Sequence, residues 1–250
     1  MPDSLSFNEY YDDTIIPLSK RQRRRLEKRK QQNGLRLQDI EPITDTQTQV
    51  FDSYLSGKNL MCHGVAGTGK TFISSYLAIR DILERYDDKD TLQIVRSVVP
   101  TRDMGFLPGS QKEKSRVYEA PYYNIFGELF GRGDAYEVLK SRNQVQFTTT
   151  SFVRGLTFND SIVIVDECQN MTYHELDSII TRVGENSKIM FCGDASQSDL
   201  IKTNEKNGII DFMKILRVMP SFDIIEFGIE DVCRSGLVKE YLVAKNELNL

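Results

Sequence analysis

Apolar positions along the chain switch between two periods, and each switch predicts a change of element. "NLMCHGV" (59–65) reads as a strand running into a glycine loop. "TFISSYLAIRDILERY" (71–86) carries the spacing of a helix. "TLQIVRSVV" (91–99) is strand-like and ends at Pro100, and "GFLPG" (105–109) is a turn. "SRVYEAPYYNIFGELFGRG" (115–133) is mostly helical but broken by Pro121. Strands follow in "QVQFTTTSFVRG" (144–155), "SIVIVDE" (161–167), "SKIMFCGD" (187–194) and "FDIIEF" (222–227). Helices are expected in "TYHELDSIITRVG" (172–184), "NGIIDFMKILRVM" (207–219) and "SGLVKEYLVAKNEL" (235–248). Upstream, "QDIEPITDTQTQVFDSYLSG" (38–57) supplies turn residues and a short amphipathic helix ending at Gly57. Strands alternating with helices predict an α/β fold, a mostly parallel sheet with helices on both faces.

The glycine loop changes the picture from architecture to chemistry. Gly64-Val65-Ala66-Gly67-Thr68-Gly69-Lys70-Thr71 matches G-x-x-x-x-G-K-[ST] without departure. Glycines let the backbone wrap phosphates, loop amides point at the anion, and the following helix adds its positive end. Lys70 is expected to reach the outer phosphates and Thr71 to coordinate Mg2+. A strand before and a helix after are the context such a loop requires.

Two acidic strand ends extend the site. Asp166 and Glu167 close the apolar strand "SIVIVD", and ligands of α/β sheets bind at the carboxyl ends of strands. Asp166 is expected to hold magnesium, and Glu167 to be the general base for an attacking water. "KIMFCGDASQSDL" repeats the geometry, with Asp194 closing its strand and Gln197 three residues on. An amide at Gln197 can contact the γ-phosphate and the water, as a sensor of hydrolysis.

Composition bounds this reading. The chain has 250 residues, 40% hydrophobic and 27% charged, with no apolar run near the roughly 20 residues of a membrane span. The acidic start "MPDSLSFNEYYDD" is not a secretory signal. Cys62, Cys168, Cys192 and Cys233 lie far apart and only two histidines are present, so a reducing cytoplasm is expected, with the cysteines as small apolar filler near strands. Residues 19–36 hold nine Lys or Arg against one Glu, an excess of eight positive charges. The whole chain is −4, which leaves −12 for the remainder. Such a block binds phosphate backbones or is a solvated arm. Residues 1–38 therefore divide off as an acidic leader and basic arm, and residues 39–250 as a P-loop ATPase domain.

"TQTQVFDSYLSGKNLMCHGVAGTGKTFIS" (46–74), "GFLPG", "FVRGLTFNDSIVIVDECQN" (152–170), "ITRVGENSKIMFCGDASQSDL" (180–200) and "EDVCRSGLV" (230–238) together resemble the PhoH family, in the same order, from about residue 40 to 245. The resemblance implies a RecA-like P-loop NTPase, similar to the first motor domain of superfamily 1 helicases standing alone. It implies ATP as the nucleotide, with Gln47 at the position of an upstream glutamine that reads the adenine edge. It puts Arg154 and Gly155 at the family's "RG" pair, compatible with phosphate or RNA contact, and Arg96 after the second strand, where relatives also place a basic residue. Cys168 departs from the family's usual alanine, small for small, and Arg234 is kept although the residues after it differ.

A helicase motor closes its ATP site with an arginine from a second domain, worth roughly 10³–10⁵ in rate. This chain has length for one motor domain, so either a ring of copies, expected as a hexamer, or a slow switch follows. Arg234, by family position, and Arg182, at the end of the helix after the acidic strand, are the candidate fingers. The expected function is Mg-dependent ATP hydrolysis coupled to RNA or single-stranded nucleic acid, without a membrane. The alternative is a nucleotide-gated module that recruits a protein partner, with slow hydrolysis as a timer.

Overall fold

A computed structural model describes residues 34–84, 89–97, 111–194 and 207–247. The leader and most of the basic arm (1–33), the "GFLPG" turn and Gln197 lie outside the described residues. Six strands form one sheet: β1 (Asn59–Gly64), β2 (Thr91–Arg96), β3 (Val145–Thr149), β4 (Ser161–Asp166), β5 (Lys188–Gly193) and β6 (Phe222–Phe227). Their order is β3-β2-β4-β5-β1-β6, and all five pairings are parallel. The central strands β4 and β5 are buried along their whole length, as parallel strands covered on both faces must be. The edge strands β3 and β6 alternate more.

Seven helices are described: α1 (Asp45–Leu55), α2 (Lys70–Glu84), α3 (Gln111–Phe130), α4 (Ala135–Ser141), α5 (Tyr173–Ile180), α6 (Asn207–Arg217) and α7 (Gly236–Glu247). Two apolar cores separate across the sheet. Phe51, Leu77, Ile79, Phe126 and Tyr136 of α1 to α4 pack on one face, with Leu60, Ile94 and Ile164. Leu176, Phe212 and Leu216 of α5 and α6 pack on the other, with Met61, Val163 and Phe191. The β-strand period of two sends alternate residues of β1 and β4 to opposite cores. Among the described residues no helix is long and apolar enough to cross a membrane.

Caps explain several boundaries. Thr44 starts α1 by accepting the Gln47 N–H at 3.2 Å. Thr172 and Glu175 form a reciprocal capping box at α5. One expectation needs correction. Pro121 does not break its helix: α3 runs unbroken from 111 to 130. The lost hydrogen bond is offset by Tyr122, Phe126 and Leu129, all fully buried on one side of that helix. The heptapeptide α4 has too few apolar positions to announce itself, yet Ala135, Tyr136 and Leu139 are all buried. The end of the basic block and the residues after it join the core as well: Leu35 is buried, and the Gln38 N–H donates to the Leu129 carbonyl at 2.8 Å.

Candidate functional site

The carboxyl ends of β1, β4 and β5 meet at the glycine loop. Gly64 sits at φ 120°, and a Cβ there would lie 2.1 Å from the Phe227 carbonyl oxygen, so only glycine fits. The Val65 N–H donates to the same carbonyl at 3.0 Å, which ties the loop to the end of β6. Thr68, fully buried, donates its hydroxyl to the Val65 carbonyl at 3.0 Å. The Lys70 ammonium donates to the carbonyls of Gly64 (2.9 Å) and Val65 (2.7 Å) and to Thr68 Oγ1 (3.2 Å). It is held inside the curl of the loop. Burial lowers its pKa from the ordinary lysine value, and the nearby Asp194 carboxylate opposes that shift.

Asp166 is anchored at both of its carboxylate oxygens. It is 5% exposed. Thr71 donates its hydroxyl to Oδ1 at 2.7 Å, and Tyr122 donates to Oδ2 at 2.7 Å. A hydroxyl and a carboxylate oxygen in contact at the loop mouth are the hard oxygen donors that magnesium takes alongside substrate phosphates. Burial, then the Asp166 charge, pushes the Tyr122 phenol well above its ordinary pKa, so it remains a donor. Sequence reasoning missed Tyr122. Its only signal is one aromatic among several in "APYYNIF", and the packing of α3 alone brings it to β4.

Glu167 takes a left-handed conformation, φ 52°, which turns the chain sharply after β4. Its Oε2 accepts from Gln169 Nε2 at 2.5 Å, and its Oε1 lies 3.7 Å from the Arg96 guanidinium at the end of β2. Gln169 Oε1 in turn accepts the Asp194 N–H at 3.0 Å, so one amide links the β4 acids to the tip of β5. A side chain at Gly193 would lie 2.6 Å from Gln169 Oε1 and from Cys168 Sγ, which explains the glycine. Gln169 was also missed. It stands inside "DECQN", but its second partner is 25 residues away in the chain.

The remaining candidates fall at different distances. Gln47 is 2% exposed. Its Nε2 donates to the Thr68 carbonyl at 3.2 Å and to Cys233 Sγ at 3.4 Å, and its Oε1 accepts the Ile43 N–H at 3.0 Å. Both ends of that amide are thus engaged within the chain, beside Gly69. Arg234 lies over the loop, its Cγ 3.0 Å from the position of a Cβ on Gly67. Arg182 lies elsewhere: its carbonyl accepts the Phe158 N–H at 2.8 Å, before the start of β4. That is the amino end of the sheet, on the order of 20 Å from Asp166 at about 3.3 Å per strand residue. Arg154 and Gly155 follow β3 at the carboxyl end of the sheet, exposed. The cysteine expectation is corrected in one case: Cys62, Cys168 and Cys192 are buried filler, but Cys233 is exposed beside the loop.

On the other face of the sheet a cavity of about 310 Å³ adjoins Gly64, walled by His63, Asp194, Ile210, Met213, Arg217 and Glu226. Burial lowers the His63 pKa below 6.5, and the neighbouring Glu226 opposes it.

The sequence has known relatives. A family model described as PhoH-like protein matches residues 39–245. The PhoH-like protein of Bacillus subtilis (strain 168) is 33% identical over 74% of this chain and 57% of its own length. Protein PhoH of Escherichia coli (strain K12) is 31% identical over 82% of this chain and 59% of its own. The chain thus spans less than three fifths of the length of either relative. Among solved structures, the large terminase of a thermophilic bacteriophage aligns over 81% of this chain and 50% of that one, at 13% identity and a TM-score of 0.47. With its loop, its acidic strand ends and its strand order all inside the matched span, this chain belongs to the PhoH family.

Proposed function

We propose that the chain is a magnesium-dependent ATPase that couples hydrolysis to binding or remodelling of RNA or single-stranded nucleic acid. The observation that carries this is the 2.7 Å contact between Thr71 and Asp166 at the mouth of a complete phosphate loop, with Glu167 next in the chain. Magnesium, when bound with the nucleotide, neutralises phosphate charge and aligns the transferring group. Thr71 and Asp166 would hold it. Loop amides and Lys70 bind the phosphates, and Lys70 exchanges its loop carbonyls for phosphate oxygens. Glu167 accepts a proton from the water as that oxygen bonds to the γ-phosphorus and the bond to the β-phosphate oxygen breaks. Gln169 orients the Glu167 carboxylate. Gln197, Asp194 and Gln47 are proposed to report on the γ-phosphate, close the site and favour adenine.

The nucleic-acid half rests on family membership, on the basic arm, and on Arg96 and exposed Arg154 at the carboxyl ends of neighbouring strands β2 and β3. A homo-oligomeric ring, proposed as a hexamer, would let Arg182 act on a neighbour, since it stands far from its own loop.

The test is calorimetry and turnover on three proteins. Wild type should bind ATP with magnesium. Lys70→Ala should lose that binding with its far-ultraviolet spectrum unchanged. Glu167→Gln should bind but turn over about 10²–10⁴-fold more slowly. RNA should raise wild-type turnover, with a steep salt dependence. Absence of ATP binding in wild type would sink the proposal. Turnover indifferent to every nucleic acid would instead favour a nucleotide-timed protein switch, to which the restraint of Glu167 by Gln169 and Arg96 is suited.

A further inference from the structure

Both carboxylate oxygens of Glu167 are engaged by side chains of this chain. Oε2 accepts from Gln169 at 2.5 Å, and Oε1 lies 3.7 Å from the Arg96 guanidinium. A general base must present an oxygen to its water, so one of the two partners has to let go. Gln169 is the fixed side: it is buried, and its own Oε1 accepts the Asp194 N–H at 3.0 Å. Arg96 is the loose side. Its contact is longer than a hydrogen bond, and its side chain is 21% exposed.

Arg96 stands in register between two strands with different surroundings. On β4 its partner is Asp166, the residue before Glu167; on β3 it is Thr149. A 3-10 turn, Thr150–Phe152, follows Thr149. At about 2 Å per residue it carries Phe152 roughly 6 Å beyond the end of β3, one strand away from Arg96. Phe152 is 53% exposed, and Arg154 and Leu156 are exposed after it. They do not hang on a loose loop. Val153 between them is 1% exposed, and the Leu156 N–H closes the turn on the Val153 carbonyl at 3.1 Å. An outward aromatic ring among guanidinium groups is a surface on which single-stranded nucleic acid stacks a base and lays its phosphates. A guanidinium also meets phosphate oxygens in a planar fork, a closer fit than its 3.7 Å approach to Glu167.

We propose that Arg96 is a positioning residue that couples nucleic acid to hydrolysis by exchanging partners. It restrains Glu167 until a backbone phosphate of single-stranded nucleic acid, stacked on Phe152, takes its guanidinium and leaves the carboxylate free to turn to the water. This rests on the ATPase reading above and deepens it.

Turnover and fluorescence anisotropy on the full chain decide it, with a labelled oligouridylate as the nucleic acid. Arg96→Gln removes the restraint, so its kcat without RNA should rise toward the RNA-stimulated value of wild type, with KM for ATP unchanged. Added RNA should then raise it no further. Arg96→Lys, which keeps the charge, should recover the dependence on RNA. Placed on Glu167→Gln, the Arg96→Gln change should bring no rise, because its effect runs through that carboxylate. In anisotropy, losing one phosphate contact should flatten the slope of log affinity against log salt by about 0.7, and Phe152→Ala should weaken RNA binding about 10-fold. An RNA-free kcat in Arg96→Gln at or below that of wild type would overturn the inference, as would an unchanged salt slope or wild-type RNA affinity in Phe152→Ala. If wild type hydrolyses ATP but gains nothing from RNA, this inference and the nucleic-acid half of the function fall together and the ATPase stands. If RNA stimulates wild type and only the Arg96 and Phe152 results fail, the coupled ATPase survives without this exchange.

Discussion

Tyr122 and Asp166 show how much a single contact can carry. Both carboxylate oxygens of Asp166 are bonded, one to the nucleotide side through Thr71 and one to the core through Tyr122. Removing the phenol leaves a buried acceptor without its donor, a cost of about 1–3 kcal/mol. Tyr122→Phe should therefore lower the thermal midpoint. It should also raise the magnesium needed for ATP binding, about 10-fold, because Asp166 loses the bond that fixes its orientation. ATP titrations at stepped magnesium check this, and an unchanged magnesium midpoint would reduce Tyr122 to a packing residue. Asp166 and Glu167 could be read from the chain because strand and acids are contiguous. Tyr122 could not, since 44 residues separate it from its partner.

At the scale of elements, the junction of β1, the loop and β6 is the most constrained. β6 is an edge strand whose neighbour is β1, and its last residue, Phe227, accepts from Val65. Gly64→Ala would force a Cβ toward the Phe227 carbonyl from a backbone conformation that alanine resists. Relieving a 2.1 Å approach requires β6 or the loop to shift, so a loss of more than about 2 kcal/mol is expected, read from denaturant unfolding. The same shift should weaken ATP binding. Strand and helix types were legible from period and caps. Pro121 misleads because a helix packed by three buried side chains tolerates one missing bond.

The whole molecule is two cores divided by a sheet, and His63 lies where the second core reaches the loop. It faces Glu226, Arg217, Lys70 and Asp194. Its pKa in the fold is lowered from 6.5, so below pH 6.5 the unfolded chain binds more protons than the folded one. Stability should then fall as pH drops from 6.5 through the lowered folded value, and be free of this cost above 6.5. His63→Gln should flatten that limb of a thermal-midpoint profile, and an unchanged slope would assign acid sensitivity to other groups. By itself the sequence determined the phosphate loop, the acidic strand end and the alternation of strand and helix. Those depend on residues close in the chain, where backbone conformation and side-chain period are set. Only the tertiary structure decided which distant groups meet them: Tyr122 on Asp166, Gln169 on Asp194, Arg234 on its own loop, and Arg182 at the far end of the sheet. Strand order and helix packing decide those meetings, and no local pattern encodes them.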